Sequence, residues 1–359
     1  MKRLLTLGLS LLLTLGASAQ INFGEAVNTL KDRITVSGYA QGGFEYNHRY
    51  GSENEFTFNR AVLTVQGQIT DRWYAVLSAN LKGGTVLEYY TDYTVAPFLK
   101  ARIGQFKNPY TFENQISTAD IDLIHGGSLA MRYLAATDGT DIMNSASSGR
   151  DLGFMVHGDF LYGLFNYAVA VMNGQGMNKS DGNNQKDIIA RLNFKLGDNF
   201  ALGGSYLKGK GHALANNYAL GIAQGENYRR DRWAFGGKYK SRLFDLSSEV
   251  LGGKDKDSYS KGFYASSRVH FTPKLDLILS YDYFNTNEFD KYDAKAEGAP
   301  KVSPNELQNQ LFNEIQSNYV AGLQYWFYPK CRVQVQYVFN DCHIAKNASS
   351  ILAQVQVAF

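Results

Sequence analysis

The sequence predicts an all-β chain that closes on itself as a transmembrane antiparallel β-barrel of sixteen strands. Three observations predict this fold class. Apolar and polar residues alternate along many segments, no segment after residue 19 offers the roughly 18 consecutive apolar residues of a spanning helix, and short connections alternate with long ones. A closed barrel pairs every backbone N–H and C=O group within the protein, which a sheet surrounded by lipid requires.

The first 19 residues are expected to be removed. A basic start at Lys2 and Arg3 is followed by a short apolar stretch and then by Ala17-Ser18-Ala19. This order is typical of a secretory signal peptide, and the apolar stretch is too short for an anchoring helix. The predicted organisation is a signal peptide over 1–19, a short periplasmic segment over 20–33 and an outer-membrane barrel over 34–359.

Strands are predicted where apolar residues occupy every second position, because successive side chains of a strand point to opposite faces. At the C-terminus, Ile351, Ala353, Val355, Val357 and Phe359 alternate with a largely polar set. Most segments with this pattern reach the roughly 9–11 residues that a tilted spanning strand needs. The predicted strands are 34–47, 55–70, 71–83, 85–97, 98–109, 151–160, 161–173, 187–197, 199–210, 232–242, 243–254, 262–271, 275–285, 317–329, 331–341 and 349–359.

The connections between these strands differ in length from one to the next. Outer-membrane barrels have short periplasmic turns and longer external loops, and an even strand number places both chain ends on the periplasmic side. The tight turns are predicted at Thr70-Asp71, Pro97-Phe98, Gly158-Asp159, Gly197-Asp198, Ser241-Arg242, Thr272-Pro273-Lys274 and Pro329-Lys330. The long loops are predicted at 110–150, 174–186, 211–231, 286–316 and 342–348.

Composition and charge narrow the class further. The chain is 44% hydrophobic with only 19% charged residues, and removing Lys2 and Arg3 from its 36 bases leaves 34 against 33 acids. This balance gives no reason to expect a nucleic-acid partner. A soluble secreted β-sandwich also has alternating strands. We favour the barrel, because a sandwich of this length would normally divide into two domains and no linker is visible.

Four short motifs, in order over residues 55–200, carry a family resemblance. The run Arg102–Glu113 (RIGQFKNPYTFE) resembles a signature of the phosphate-selective porin family, the O and P porins of Gram-negative outer membranes. Gly149–Gly153 (GRDLG) and Asn173–Asn178 (NGQGMN), the latter followed by Lys186, Asp187 and Arg191, resemble later segments of that family, and Asn59-Arg60-Ala61 resembles a reduced form of an earlier one. The terminal Phe359 is similar to the sorting signal of outer-membrane barrels.

The resemblance implies a sixteen-stranded homotrimeric porin whose third external loop folds into the lumen, and whose lumen arginines and lysines conduct anions. The sequence departs from the family in that loop. Residues 110–150 carry Glu113, Asp120, Asp122, Asp138 and Asp141 but only Arg132 and Arg150 as bases. This argues against tight phosphate selectivity and favours a general porin with a weak preference for anions.

The candidate site is a set of bases that alternation places on the lumen side of the strands, together with one base in the third loop. Polar residues face an aqueous lumen whether or not they select ions, because a charge facing lipid at mid-depth costs roughly 2–4 kcal/mol. The alternative for each of these bases is therefore that it is an ordinary solvated residue of the pore wall, without a role in ion selection. The pore-lining, anion-binding candidates are Arg60, Arg72, Lys100, Arg102, Arg132, Arg191, Lys195, Arg232, Lys238 and Arg268.

The sequence thus predicts a porin of the Gram-negative outer membrane, in contact with its lipid, that lets small hydrophilic solutes diffuse passively, with anions favoured and phosphate among the candidates. The histidines are scattered without metal-ligand spacing, and no catalytic motif is present. We therefore expect no catalytic residue, metal or cofactor. Two alternatives remain open: a lipase-like barrel enzyme, and a surface adhesin or structural barrel.

Overall fold

The structure is a computed structural model that describes residues 33–47, 53–137, 146–217, 220–286, 315–342 and 348–359. The expected signal peptide over 1–19 and nearly all of the segment 20–33 lie outside these residues, as do Asp138 and Asp141. In the part of the chain described, no helix is long and apolar enough to cross a membrane.

Sixteen antiparallel strands form one closed barrel, which confirms the predicted fold class. Each strand pairs with its neighbours in the sequence, and β16 closes the barrel on β1 with Tyr39 opposite Ala358 and Asn47 opposite Ser350. The strands are β1 Ile34–Asn47, β2 Glu53–Thr70, β3 Trp73–Asn80, β4 Thr85–Ala96, β5 Leu99–Lys107, β6 Arg150–Phe160, β7 Phe165–Met172, β8 Asp187–Leu196, β9 Phe200–His212, β10 Asn227–Lys240, β11 Phe244–Asp255, β12 Ser258–Thr272, β13 Leu275–Asn285, β14 Gln316–Tyr328, β15 Cys331–Cys342 and β16 Ala348–Ala358.

The two faces of the wall differ in the way that alternation predicts. Along β15, Val333, Val335 and Tyr337 are exposed on the outer face, whereas Gln334 and Gln336 between them are buried inside. Polar side chains lie inside, where the closed wall surrounds them with other polar groups. The exposed apolar side chains form the outer surface that a membrane barrel presents to lipid.

Connections at one edge of the barrel are short, and those at the other edge are longer except at β3–β4 (81–84) and β11–β12 (256–257); we call these the short edge and the long edge. One predicted turn was wrong. Strand β6 continues through Gly158 to Phe160, and the chain turns at 161–164, where Leu161 and Tyr162 have positive φ values. Gly158 is a strand residue at which a Cβ would lie 2.4 Å from the Phe98 backbone, so it serves close strand packing.

The long edge also differs in detail from prediction. Strand β9 continues to His212 and β10 begins at Asn227, so the connection between them is shorter than the predicted 211–231. Strands β11 and β12 are joined by Lys256 and Asp257 alone. One helix, α1 (Leu129–Leu134), lies in the connection between β5 and β6 and was not predicted.

Candidate functional site

The connection between β5 and β6, residues 108–149, is the β5–β6 segment. Its base is closed by hydrogen bonds: the Asn108 amide donates to the Gly149 carbonyl at 2.9 Å, and the Asn114 side chain donates to both the Asn108 and Gly149 carbonyls at 3.1 Å. Gly149 has a φ of +68°, and a Cβ there would lie 1.9 Å from Asn114 Oδ1. Glycine is required at this position both for its backbone conformation and for its size.

The segment is held next by a carboxylate on a distant strand. Glu249 of β11 accepts hydrogen bonds from the Phe112 amide at 2.7 Å and the Glu113 amide at 3.1 Å, and from the Tyr264 hydroxyl at 2.8 Å. Glu249 is 2% exposed. A buried carboxylate that lost these donors would carry a large desolvation cost, so the contact fixes the segment against β11 and β12.

A second carboxylate lies within the segment itself. Glu113 accepts hydrogen bonds from the Ser128 amide and, at 2.6 Å, from the Ser128 hydroxyl, and Ser128 is the N-cap of α1. Burial raises the pKa of the Glu113 carboxyl to about 7. Glu113 therefore joins the start of the segment to the start of its helix.

The tip of the segment, residues 119–123, is bonded to β12 and β15. Arg332 donates to the carbonyls of Ala119 at 2.9 Å and Ile121 at 2.6 Å, and the Asp122 carboxylate lies 3.2 Å from Arg268 and 3.5 Å from Arg332. The inward amides of β15 add two more bonds to the Asp122 carbonyl, from Gln334 at 2.9 Å and Gln336 at 2.6 Å. Arg332 is fully buried, and its guanidinium is neutralised and bonded by this part of the segment.

Apolar contacts complete the attachment on two sides. One cluster joins Tyr110 and α1 to inward residues of β6 through β13, and a smaller one joins Ile121 and Leu123 to inward residues of β13 through β16. The inward members on β7 to β9 include Ala168, Ala170, Met172, Ile189 and Leu207. These positions depart from the rule that polar residues face inward, because they are buried in one apolar cluster with Tyr110 and α1 and do not face water.

On strands β4 to β6, arginines pair with carboxylates of other strands. Arg102 of β5 pairs with Asp92 of β4 at 2.6 Å, and the same carboxylate accepts from His157 at 3.1 Å. The Arg102 guanidinium also lies 3.9 Å from the centre of the Tyr90 ring. Arg150 pairs with Glu88 at 2.8 Å. Both pairs balance a base that would otherwise attract an anion.

Arg191 of β8 differs from these two arginines. Its guanidinium donates to the Asn166 side chain at 3.2 Å, its Nε has no hydrogen-bond partner, and within the described residues no carboxylate pairs with it. The same described residues provide no paired carboxylate for Arg60, Arg72, Lys100 or Lys195. These five bases keep their positive charge uncompensated at short range.

Two cavities lie on either side of residues 113–118. The larger, about 560 Å³, is lined by β1 through β6, by residues of the segment between 109 and 118 and by Arg191. Its charged residues are Arg102, Lys107, Arg150 and Arg191 against Glu88. The second, about 540 Å³, is lined by β10 to β12 and by acids of the segment. We call them the basic cavity and the mixed cavity.

Comparison with known proteins identifies the family. Residues 34–221 match the family described as phosphate-selective porin O and P. The chain belongs to this family. The four motifs of the sequence lie within the matched range. No curated protein matches this chain.

Solved structures with the same fold include a porin and other outer-membrane proteins. An anion-selective porin from Comamonas acidovorans superposes with a TM-score of 0.63 at 12% identity, over 91% of this chain and 99% of that one. OmpF of Salmonella typhi, in complex with daunomycin, gives 0.64 at 13% identity over 91% and 97%. OmpT, an outer membrane protein of Vibrio cholerae, gives 0.63 at 11% identity over 91% and 97%. At such identities the likeness shows the fold alone.

The ten bases predicted from the sequence are unevenly distributed in this porin. Of the ten, only Arg102 and Arg191 line the basic cavity. Arg60 lies nearer the long edge, beside Gly126, and lines a smaller cavity of about 210 Å³ together with Glu45, Lys82 and His125. Arg72, Lys100 and Lys195 lie at the short edge. These six bases occupy the wall from β2 to β8.

The other four bases lie near the β5–β6 segment. Arg232 is 2% exposed and pairs with Asp255 at 2.7 Å, and Arg268 bonds both Asp245 and Asp122. Lys238 donates to the Phe112 carbonyl at 3.3 Å. Arg132 lies in the last turn of α1. Their charged groups contact the protein itself, so the structure does not bring the ten candidates together as one ring.

Sequence reasoning missed Lys107, His157 and Glu88 as members of this site. Lys107 donates to the Ile116 carbonyl, and Glu88 balances Arg150. Cross-strand register decides these contacts, and a one-residue shift would move each side chain to the other face. The alternation of apolar and polar residues was the available signal, and it indicates the face of a side chain but not its partner.

Proposed function

We propose that this porin is a general diffusion channel for small hydrophilic solutes, with a weak preference for anions and with phosphate passing as one anion among others. The observation that carries the proposal is a set of bases along β2 to β8 that have no carboxylate partner in the described part of the chain. Arg60, Arg72, Lys100, Arg191 and Lys195 lack a paired carboxylate in the described residues, whereas Asp92, Glu88, Asp245 and Asp122 are each paired with an arginine. Uncompensated charges at short range set ion preference in a pore.

The preference should be weak because the basic cavity is partly balanced. Arg102 and Arg150 hold Asp92 and Glu88, so an entering anion meets one guanidinium without a carboxylate partner among the described residues, that of Arg191. Tight phosphate binding would call for several donors aimed at one anion. We therefore expect attraction without long residence.

We also propose that the β5–β6 segment narrows the lumen. Its contacts with Glu249, Asp282, Arg332 and Gln336 involve strands β11, β13 and β15, which lie far around the wall from β5 and β6. A connection bonded to inward side chains of such distant strands must pass between them. The resulting constriction would limit solutes to small ones.

The test is single-channel recording of purified protein in lipid bilayers. We expect ohmic steps in chloride, a reversal potential in a salt gradient that indicates a modest anion preference, and little block by phosphate. Steps that saturate with phosphate would replace the general channel by a phosphate-specific one. A cation-selective reversal potential would contradict the anion preference.

A homotrimer that reaches the outer membrane after loss of residues 1–19 completes the proposal. A trimer form of Vibrio cholerae OmpT shares the fold, with a TM-score of 0.61 at 13% identity over 91% of this chain and 100% of that one. Light scattering in detergent should give the mass of three chains. Mass spectrometry of protein from the outer-membrane fraction should place the N-terminus at Gln20.

The enzyme and adhesin alternatives gain no specific support. A barrel lipase needs a Ser–His pair on the lipid face, whereas among the described residues the hydrogen bonds of His157 and His270 go to carboxylates and that of His212 to an asparagine. No group of three or more His, Cys, Asp or Glu side chains in the same residues could hold a metal ion. Lipase activity of the purified protein, or a barrel without conductance, would reopen these alternatives.

A further inference from the structure

The β5–β6 segment occupies one half of the barrel interior. From β9 to β13 the wall is covered by Tyr110, Thr111 and α1: the Tyr110 hydroxyl donates to the Trp233 carbonyl at 3.1 Å and the Thr111 amide donates to Ser205 at 3.1 Å. Ala130 and Leu134 of α1 lie against β11 and β12, where a Cβ added to Gly262 would be 2.3 Å from Ala130 Cβ. Helix α1 and Tyr110 are buried against this part of the wall, and the mixed cavity lies between them and the short edge.

The adjoining wall from β13 to β16 is covered by the tip. Ile121 and Leu123 pack against Ile278, Val320 and Leu352, all inward and nearly fully buried. The carbonyls of Ala119, Ile121 and Asp122 are bonded to β15. Apolar contacts and hydrogen bonds therefore close this sector as well.

The wall from β2 to β6 lies on the other side of residues 113–118 and borders the basic cavity. In the described part of the segment, the Ile116 carbonyl accepts from Lys107, and Pro109, Gln115, Ser117 and Thr118 line the same cavity. The small cavity around Arg60 and Lys82 and the basic cavity both border β2, at Arg60 and at Val62, Thr64 and Gln66. Since these positions follow one another along β2, the two cavities lie one after the other toward the short edge.

We infer that solutes cross this porin along a single passage against β2 to β6, from Arg60 and Lys82 through the basic cavity to Arg72 and Lys100, and that the β9 to β16 half does not conduct. This route rests on the proposed channel function. It makes Arg191 and Arg60 the bases that meet the solute, and it removes Arg232, Arg268 and Lys238 from that role.

The mixed cavity is then a pocket without an exit to the long edge. Lys240, Asp245 and Trp326 lie at the short edge of its wall, while Glu113 and Tyr264 border its inner end. Behind them the segment is bonded to Glu249, and α1 fills the space toward the long edge. Ions can enter from the short edge but have no route through.

Cysteine modification during recording tests the route. Thr64→Cys places a thiol in the basic cavity, and Ser266→Cys places one in the mixed cavity; both native side chains are half-buried, so the two positions are matched. Cys331 and Cys342 are first replaced by serine. The probe is methanethiosulfonate ethylsulfonate, an anionic thiol reagent, with the extent of modification read by mass spectrometry.

We expect modification at Thr64→Cys to lower single-channel conductance by about half or more, because it puts bulk and negative charge in a narrow pore. Modification at Ser266→Cys, or failure of the reagent to reach it, should leave conductance unchanged. Gln66→Cys serves if Thr64→Cys does not fold.

Two results separate the possible failures. Conductance that falls on modification of Ser266→Cys but not of Thr64→Cys would overturn the route while leaving a channel. Absence of conductance from the unmodified, cysteine-free protein would overturn the proposed function and the route together.

Discussion

At the scale of single residues, charge compensation decides which bases can act on a solute. Arg102 and Arg191 both line the basic cavity, but Arg102 is paired with Asp92 at 2.6 Å whereas Arg191 has only the neutral Asn166 side chain. A paired guanidinium presents little net charge beyond its partner. Alternation predicted the inward face of both residues, and only the register of β4 with β5 reveals the difference between them.

Replacing Arg191 should change ion preference more than replacing a base outside the passage. A unit charge about 4 Å from an ion is worth about 1 kcal/mol in water, so Arg191→Gln should lower the anion-to-cation permeability ratio by roughly two- to five-fold after screening. Lys240→Gln, which removes the same charge beside the mixed cavity, is the matched control. Reversal potentials in a salt gradient measure both, and equal shifts would contradict the assignment.

Glu113 makes the anchoring of the β5–β6 segment depend on pH. Burial raises the pKa of its carboxyl from 4.5 to about 7, so the folded arrangement favours the protonated form and loses stability as the pH rises from about 4.5 through about 7. The segment should therefore be held more firmly at pH 5 than at pH 8. Open-channel current noise that is larger at pH 8 would show this.

Glu113→Gln is the control for that pH effect. An amide oxygen can still accept from Ser128 but does not ionise, so the difference in noise between pH 5 and pH 8 should become smaller. Persistence of the full difference in the variant would assign the pH dependence to another group.

At the scale of elements, period-two alternation was sufficient to predict all sixteen strands but not what lies between β5 and β6. Helix α1 is six residues long, and its sequence from Leu129 to Leu134 is too short for a helical period to emerge. It exists because Ser128 caps it and because Ala130 and Leu134 fit against Gly262 and Gly253. Those partners are more than a hundred residues away, so the local sequence could not predict that α1 packs against this part of the wall.

Gly262 of β12 offers a test of how α1 packs against the wall. Gly262→Val would place a Cβ 2.3 Å from Ala130 Cβ, and overpacking of this kind costs about 1–3 kcal/mol. We expect α1 to be displaced and single-channel conductance to rise as the second half opens. Gly67→Val on β2, where the nearest atom is 3.6 Å away, should leave conductance unchanged. A folded Gly262→Val variant with native conductance would contradict the role of α1.

At the scale of the whole molecule, the wall separates two surroundings, and adjacent residues of one strand sample both. Val65 is opposite Leu77, which is 52% exposed on the outer face, whereas Gln66 borders the basic cavity. The outer face followed from the sequence because lipid accepts any apolar side chain. The inner face did not, because there Met172 and Ile189 contact protein while Gln66 borders an open cavity, and alternation alone does not distinguish these neighbours.

An arginine scan of this pair measures the two surroundings directly. Val65→Arg should destabilise the barrel by about 2–4 kcal/mol if the position lies near the bilayer midplane, whereas Gln66→Arg faces the passage and should cost about 0–1 kcal/mol. Urea unfolding in phospholipid vesicles gives both values, with tryptophan fluorescence as the signal. Because the residues are neighbours in one strand, backbone propensity and strand position are matched, and only the surroundings of the side chain differ. Equal destabilisation of the two variants would mean that Val65 does not face hydrocarbon, and the assignment of outer and inner faces would have to be reversed or abandoned.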